Sequence, residues 1–327
     1  MNQTTQRWPI AAAMLQFPGV RRNGMRMQDA SPDEWTADFA EIARAGFDLV
    51  EVNDQWVAAG DLAPKRVDDL AAAARAAGVR PASYAIVRKS VIDPRTGDDN
   101  LAYAHRALDA AVRLGAGIVS IGFHRPLLPA QQRALWFWTE QGAADDLDDR
   151  ELWATAVARV QELGRHAAEI GIDLTLEMYE DTFLGTGALA ARFVQDVGLA
   201  HVGLNPDVGN FVRLHRPVEN PVETHAAVLP FANYWHVKNY LRDEDRAQGT
   251  VTSMPAPLEL GVIDYRTEIR TALSLGFQGM FVCEHYGGDG LGVSARNREY
   301  LHGILDGRPV PVAAVPTPRT RSEEVSA

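Results

Sequence analysis

One pattern recurs along the chain and constrains its fold more than any other feature. An alanine-rich, helix-forming segment ends in glycine, and a short apolar run follows; this occurs in EIARAGFDLVEV, AAAARAAGVRPASYAI, AVRLGAGIVSIGF, HAAEIGIDLTLEM, FVQDVGLAHVGLNPD and TALSLGFQGMFVCEH. Glycine is favoured just after a helix because it adopts the left-handed conformation that ends one. The sequence therefore predicts six helix caps, each followed by a strand, at Gly46, Gly78, Gly115, Gly171, Gly198 and Gly276.

The apolar runs are short and nearly continuous, which is typical of parallel strands covered on both faces. Together with IAAAMLQF and ANYWHVKNY they give eight strands with helical stretches between them. We predict an α/β fold, a single (β/α)8 TIM barrel over residues 1–306. The alternative is an open doubly wound sheet, but no G-x-G-x-x-G motif follows the first strand, so a dinucleotide site is not expected.

Two segments interrupt this alternation. Residues 125–149 form a long insert after the fourth strand, and Trp136, Phe137 and Trp138 within it argue against disorder. The insert either contacts a substrate or partner protein through these rings, or folds down and seals the barrel. Residues 307–327 are rich in Pro, Val, Thr and Ser, and we expect a flexible, disordered tail there.

The charge and the single cysteine limit the classes of partner and compartment. A net charge of -11 does not suit nucleic acid or anionic membranes, and we expect neither as a partner. Cys283 is the only cysteine, so no disulfide can form within the chain and a reducing, cytoplasmic location is expected. The apolar stretch PIAAAMLQF is too short to span a bilayer and lacks the cationic start of a signal peptide.

Polar side chains collect where the predicted strands end, which is where a barrel of this kind has its active site. They are Glu51 and Asn53 after strand two, His124 after strand four, Glu177 and Glu180 after strand five, Asn205 and Asp207 after strand six, His236 and Lys238 on strand seven, and Glu284 and His285 after strand eight. Taken singly, each has an ordinary structural explanation, such as an ion pair, a helix cap or a buried hydrogen-bonded histidine.

The set is more informative than its members. Three carboxylates and an imidazole, on Glu177, Asp207, Glu284 and His236, would repel or stay unpaired unless a cation lay between them. Oxygen ligands with one imidazole suit Mn²⁺, Mg²⁺, Co²⁺ or Zn²⁺. We therefore predict one divalent ion at this end of the barrel.

The order Glu177, Asp207, His236, Glu284 resembles the xylose-isomerase-like barrel superfamily, which includes sugar isomerases, ketose epimerases, hydroxypyruvate isomerase and inosose dehydratase. PDVGN is similar to its P-D-x-G-H segment, HVKN is similar to its H-x-K-D segment, and the resemblance covers roughly residues 9–305. It implies that these four residues bind one divalent ion, with Mn²⁺ the first candidate.

Two positions depart from these motifs. Asn210 replaces the usual His of P-D-x-G-H, and Asn239 replaces the usual Asp of H-x-K-D. The first change speaks against a multi-zinc endonuclease, and it puts a direct transfer of the ketose epimerase site in doubt.

The segments EMYEDTFLGT and SIGFHRP, with the aromatic insert, look most like the catalytic α subunit of bacterial C-glycoside deglycosidases. That resemblance implies a carbon–carbon lyase that acts on 3-oxo-glucosides of aromatic aglycones together with a small β subunit. The C2 proton would be taken by His124 or by a metal-side carboxylate, Glu177 or Glu284, and Lys238 would balance developing oxyanion charge. The alternative for His124 is an ordinary surface-loop histidine.

Three other functions stay open. A ketose 3-epimerase or sugar isomerase would turn over free sugars without a partner, with Glu177 and Glu284 on the two faces of the sugar. An inosose-type dehydratase would eliminate water from a cyclic ketone, and a non-catalytic binding subunit would keep only the barrel. The enzymes all begin by removing a proton beside a carbonyl held by the metal.

Overall fold

The computed structural model describes residues 7–245, 247–308 and 317–319. Eight parallel strands form a nearly closed barrel, so the predicted (β/α)8 fold is confirmed. The barrel strands are β1 (Ile10–Ala13), β2 (Leu49–Asn53), β3 (Arg80–Ala85), β4 (Ile118–Ile121), β5 (Asp173–Glu177), β6 (Val202–Asn205), β7 (Trp235–Val237) and β10 (Phe281–Cys283).

The helices of the described residues alternate with these strands, and several begin at a capping side chain such as Ser31 or Asp149. They are α1 (Pro32–Arg44), α2 (Pro64–Ala76), α3 (Gly97–Leu114), α4 (Pro129–Arg133), α5 (Arg150–Glu169), α6 (Gly187–Val197), α7 (Gly209–Val212), α8 (Pro221–Val228), α9 (Tyr265–Ser274) and α10 (Gly290–Leu305). The six predicted cap glycines have φ angles between 64° and 89°, which confirms their left-handed conformation.

The strand order explains why side chains from distant parts of the sequence meet. Around the barrel it runs β6, β5, β4, β3, β2, β1, β10, β7. The circle closes between β6 and β7 through a bridge from Leu204 to Ala232, and the Asn205 side chain accepts a hydrogen bond from the His236 backbone at 2.8 Å. The carboxyl ends of β5, β6, β7 and β10 therefore surround one part of the mouth.

Alternate residues of each strand face inward and outward. The outward residues join the large core between strands and helices. A smaller core cluster takes the intervening positions and fills the barrel interior, with Ala11, Ala13, Leu49, Ala82, Ile118, Tyr234, Met280 and Val282. By the same alternation Glu51 and His236 face inward, above this cluster.

The seventh predicted strand differs from the prediction. Only β7 belongs to the barrel, and the chain then enters an antiparallel hairpin of β8 (Asn239–Asp245) and β9 (Thr250–Ala256). Asn239 donates to the carbonyls of Leu258 and Ile263 at 2.8 and 2.9 Å. The asparagine that departs from the H-x-K-D motif therefore holds the base of the hairpin and does not face the site.

The insert is ordered and contains α4 and a 3₁₀ turn, Phe137–Thr139, before α5 begins at Arg150. The predicted tail, residues 307–327, lies largely outside the described residues. Its described residue Arg319 bonds through its backbone NH to the Gly171 carbonyl at 2.7 Å. Across the described ranges, no helix is long and apolar enough to cross a membrane.

Candidate metal centre

Three of the four predicted metal ligands meet at the mouth of the barrel. Glu177 ends β5, Asp207 follows β6 by two residues, and His236 is the middle residue of β7. One ligand atom from each lies within 4.8 Å of the others, and all three side chains are buried. His236 Nδ1 is 3.5 Å from Asp207 Oδ2 and 3.9 Å from Glu177 Oε1.

Two atoms of this group indicate that it suits a cation. Neither His236 Nδ1 nor Asp207 Oδ1 has a hydrogen-bond partner among the described residues, although both are buried. A buried polar atom without a partner costs about 1–3 kcal/mol. Two carboxylates and an imidazole nitrogen directed at one point are a donor set for a divalent ion such as Mg²⁺ or Mn²⁺, so the residues present fit such an ion.

The fourth predicted ligand, Glu284, makes a different contact. Its carboxylate forms an ion pair with Lys238, whose Nζ also donates to Asp207 Oδ2 at 2.6 Å. Burial disfavours a charged lysine, but the carboxylates of Asp207 and Glu284 hold the pKa of Lys238 well above its usual range. The structure thus brings Glu284 and Lys238 to the same mouth, while the role of Glu284 as a metal ligand stays a prediction.

The glycine of PDVGN makes room for this lysine. A Cβ atom built on Gly209 would overlap the Cγ atom of Lys238, and it would lie 3.1 Å from Asp207 Oδ1. A side chain at this position would therefore require Lys238 to move. This close approach explains the glycine without any unusual backbone angle.

Beneath His236 lies the carboxylate of Glu51, a strand-end residue outside the four predicted metal ligands. Glu51 Oε1 is 2.9 Å from His236 Nε2, and its other oxygen accepts from Ser83 Oγ at 3.0 Å and from the Tyr234 hydroxyl. Because a carboxylate only accepts, Nε2 donates its NH and Nδ1 is left to face Asp207 and Glu177. A charged residue in a buried strand was the only sequence signal, and Tyr234 gave none.

The charges at the centre shift several pKa values. Burial opposes protonation of His236, but Glu51 and Asp207 raise its pKa well above the usual range. Burial raises the pKa of Glu177 to about 7, and the negative charges of Asp207 and Glu284 add to this effect. Without a bound cation, Glu177 therefore titrates near neutral pH.

Asn210, at the usual histidine position of P-D-x-G-H, orients Glu177. Its Nδ2 donates to Glu177 Oε1 at 3.1 Å and to the Met178 carbonyl at 2.9 Å. The substitution replaces an imidazole by an amide that fixes one carboxylate oxygen. The arrangement around Glu177 therefore differs from the motif while keeping the carboxylate in the triad.

His124 is buried, in contrast to the surface-loop alternative. Its ring stacks on Tyr179 with centroids 4.7 Å apart, and Nδ1 has no partner in the described part of the chain. Burial, together with the positive charges of Arg88 and Arg213, holds the pKa of His124 well below its usual range. It is thus a neutral imidazole at physiological pH, and its role as a base stays a prediction.

The aromatic insert folds onto the mouth. Trp138 is buried against Tyr240 and Tyr286, with ring centroids 5.5 and 5.3 Å away, and Trp136 stacks on Trp138 at 4.9 Å. Tyr286 in turn lies 5.6 Å from Lys238 Nζ. The insert therefore covers the end of the barrel that holds the triad. This agrees with the alternative in which the insert folds down and seals the barrel.

Comparison with known proteins relates the chain to one family. The sequence profile of the xylose isomerase-like TIM barrel family matches residues 39–304. A xylose isomerase-like TIM barrel protein from Mycobacterium smegmatis, solved in complex with magnesium, is 46% identical over 91% of this chain and 96% of that chain, with a TM-score of 0.87. No curated protein matches the chain.

Two more distant structures share the fold. A xylose isomerase domain protein from Planctomyces limnophilus is 16% identical over 92% of this chain and 98% of that chain, with a TM-score of 0.65. A D-allulose 3-epimerase from Methylomonas sp. is 17% identical over 92% and 99% of the two chains, with a TM-score of 0.63. At this identity the likeness extends to the fold alone.

Proposed function

Because the chain belongs to the xylose isomerase-like TIM barrel family, we propose that it is a divalent-metal-dependent enzyme that isomerises or epimerises a sugar. The observation that carries this proposal is the buried triad of Glu177, Asp207 and His236 at the mouth of the barrel. The magnesium complex of the Mycobacterium smegmatis relative makes Mg²⁺ the first ion to test, beside the Mn²⁺ that the sequence resemblance implies.

The reaction moves a proton on the carbon next to a carbonyl group. When bound, the metal ion supplies Lewis acidity that favours loss of this proton. Glu177 accepts the proton, and Asn210 keeps its carboxylate in place. Lys238 holds positive charge beside the oxygen on which negative charge develops.

The second carboxylate decides which product forms. Glu284 follows β10, which β6 and β7 separate from β5 around the barrel, so it approaches the substrate from a different side than Glu177. A proton delivered through Glu284 to the opposite face of the same carbon gives an epimer; its partner Lys238 or solvent supplies that proton, and Glu177 loses to solvent the one that it took. Return of the proton to the neighbouring carbon gives an isomer.

A second candidate is the carbon–carbon lyase that cleaves 3-oxo-glucosides of aromatic aglycones. The buried neutral His124 and the stacked rings of Trp136 and Trp138 favour it, because an aglycone ring would pack on such a surface. The small β subunit belongs to this candidate only. The structures named above are an epimerase and isomerase-family proteins, so isomerisation or epimerisation is the first proposal. An inosose-type dehydratase would use the same groups and is the third candidate.

Deuterium exchange tests the proposal directly. The protein loaded with Mg²⁺ is incubated in deuterated water with free ketoses and, in parallel, with a 3-oxo aryl C-glucoside or a cyclic inosose, and proton NMR follows each reaction. Deuterium entering a ketose, with formation of an epimer or isomer, supports the first proposal. Release of the phenolic aglycone supports the lyase, and loss of water from a cyclic inosose would support the dehydratase.

Matched variants connect the result to the site. The Glu177→Gln and Asp207→Asn variants should lose exchange and metal binding together. Glu268→Gln, which alters a buried glutamate beside His225 outside the barrel mouth, should keep both. Exchange that persists in the first two variants would overturn the site assignment.

A further inference from the structure

Three buried side chains, one in the insert and two beneath it, present hydrogen-bond donors without partners. Trp138 belongs to the insert, Arg213 follows α7, and Tyr240 is the second residue of β8. The atoms concerned are Nε and Nη1 of Arg213, Nε1 of Trp138 and the hydroxyl of Tyr240, none of which is bonded within the described residues. Several such groups in one place point to a ligand that completes them, because each costs about 1–3 kcal/mol when left unpaired.

Arg213 is rigidly held. Its Nη2 donates to both carboxylate oxygens of Glu180, at 3.0 and 2.9 Å. Its guanidinium carbon also lies 4.8 Å from the Phe137 ring centroid and 5.0 Å from that of Tyr179. Glu180 therefore fixes the orientation of the guanidinium while leaving the Nε and Nη1 donors free.

The three side chains that carry these donors are neighbours of one another. The Arg213 guanidinium carbon is 5.5 Å from the Trp138 ring, which is 5.5 Å from the Tyr240 ring. The Tyr286 ring lies between this group and the metal centre, because its centroid is 5.9 Å from the Arg213 guanidinium carbon and 5.6 Å from Lys238 Nζ. The donor group thus lies between the insert and the lysine that borders the triad.

Because these groups mainly donate hydrogen bonds, they favour a ligand whose oxygen atoms accept them. The NH groups of arginine and tryptophan donate and never accept, so a hydroxyl placed there would need an acceptor elsewhere for its own proton. A carboxylate only accepts, and arginine binds it with two parallel hydrogen bonds. Because Glu180 already balances part of the positive charge, a singly charged carboxylate suits the group better than a phosphate dianion.

We propose that the substrate is a sugar acid, a polyhydroxylated keto compound whose carboxylate binds Arg213, Trp138 and Tyr240. This inference rests on the proposed function, since it assigns the substrate class of the same site. The carboxylate is separate from the reacting carbonyl, which lies toward Glu177 and Lys238. The insert contributes Trp138 and so takes part in substrate selection as well as covering the mouth.

The test compares ligands that differ only at one carbon. Isothermal titration calorimetry of the Mg²⁺-loaded full chain measures binding of D-fructuronate, D-fructose and D-fructose 6-phosphate at constant ionic strength. We expect fructuronate to bind at least about ten-fold more tightly than the other two. Equal or tighter binding of fructose or its phosphate, or no binding of fructuronate at millimolar concentration, would overturn the proposal.

Variants of the three side chains test whether they cause the preference for fructuronate. Trp138→Phe and Tyr240→Phe keep the rings and remove one donor each, and each should lower the preference for fructuronate several-fold. The double variant Arg213→Met/Glu180→Gln removes the ion pair without leaving an isolated buried charge, and it should abolish the preference. An undiminished preference in all three variants would contradict the assignment.

Failure of this inference is distinguishable from failure of the proposed function. Deuterium exchange into fructose without a carboxylate preference would refute the substrate class and leave the isomerase or epimerase proposal standing. A carboxylate preference in binding, with no exchange into either compound, would refute the proposed function and leave the carboxylate site standing.

Discussion

His236 depends on residues that do not themselves face the metal position. Glu51 and Tyr234 surround Nε2 inside the barrel, while Nδ1 faces Asp207 and Glu177. Carboxylates that accept from a ligating histidine fix its tautomer and raise its basicity, and their loss typically weakens metal binding 10- to 100-fold. Glu51 is therefore a positioning residue for the centre.

The Glu51→Gln variant tests this dependence. The amide keeps the size of the side chain but removes its charge, so we expect Mg²⁺ and Mn²⁺ to bind about 10- to 100-fold more weakly. Titration calorimetry measures the dissociation constants. Glu268→Gln is the matched control, because Glu268 is also a buried glutamate beside a histidine. Equal affinities for wild type and Glu51→Gln would rule out the positioning role.

Metal binding should also release protons. The raised pKa of His236 means that the metal-free imidazole carries a proton near neutral pH, and a cation at Nδ1 requires that this proton leave. Affinity should therefore rise as pH rises from about 6 to about 8. Calorimetry in two buffers should give heats that differ by more than the difference between the two buffer ionisation enthalpies, because His236 releases one proton and Glu177, with a pKa of about 7, releases part of another. Identical heats and a pH-independent dissociation constant would contradict this.

Among single residues, the sequence identified those with chemically distinctive side chains at strand ends. Glu177, Asp207 and His236 lie close together, because parallel strands bring their carboxyl ends to one mouth. No local pattern assigns a role to Glu51 or distinguishes Arg213, Tyr234 and Tyr240. Their importance comes from contacts with residues far away in sequence, which no local pattern records.

At the scale of elements, the insert acts as a fixed cover. Trp138 packs on Tyr240 and Tyr286, and Gln141 donates to Asp181 at 2.8 Å beyond the end of β5. Asp181 has a φ of 59°, a left-handed conformation that is uncommon outside glycine. These contacts fasten the insert to the loop that follows Glu177, so the position of the cover and that of the carboxylate are linked.

Replacing the central ring should loosen this cover. For Trp138→Ala we expect a loss of about 3–5 kcal/mol in the free energy of unfolding and faster amide hydrogen exchange across residues 125–149. Leu135→Ala is the control on the same segment, since Leu135 is 87% exposed and should leave both quantities unchanged. Exchange as slow in Trp138→Ala as in the control would show that other contacts hold the insert.

At the scale of the whole molecule, the triad connects β5, β6 and β7. This part of the barrel includes the closure between β6 and β7, where a single bridge from Leu204 to Ala232 replaces a regular strand pairing. A ligand that binds only the folded protein stabilises it in proportion to its occupancy, by about 2.7 kcal/mol at one hundred times its dissociation constant. An ion at the triad should therefore stabilise the closed barrel.

Thermal unfolding measures this stabilisation. At that concentration Mg²⁺ should raise the Tm by roughly 4 °C, given the usual unfolding entropy of about 2.1 cal/mol/K per residue. The double variant Glu177→Gln/Asp207→Asn should show no shift, and Glu268→Gln should shift like wild type. A shift of the same size in the double variant would mean that the ion binds elsewhere.

The sequence by itself determined the barrel, its cap glycines and the strand ends on which the ligands stand, because these follow from periodicity and backbone conformation that local residues impose. Only the tertiary structure decided that Glu284 pairs with Lys238, that Glu51 underlies His236 and that Arg213 faces the insert. Those pairings depend on distances across the closed barrel. They follow from how the strands are arranged around it, which the sequence specifies only through the complete fold.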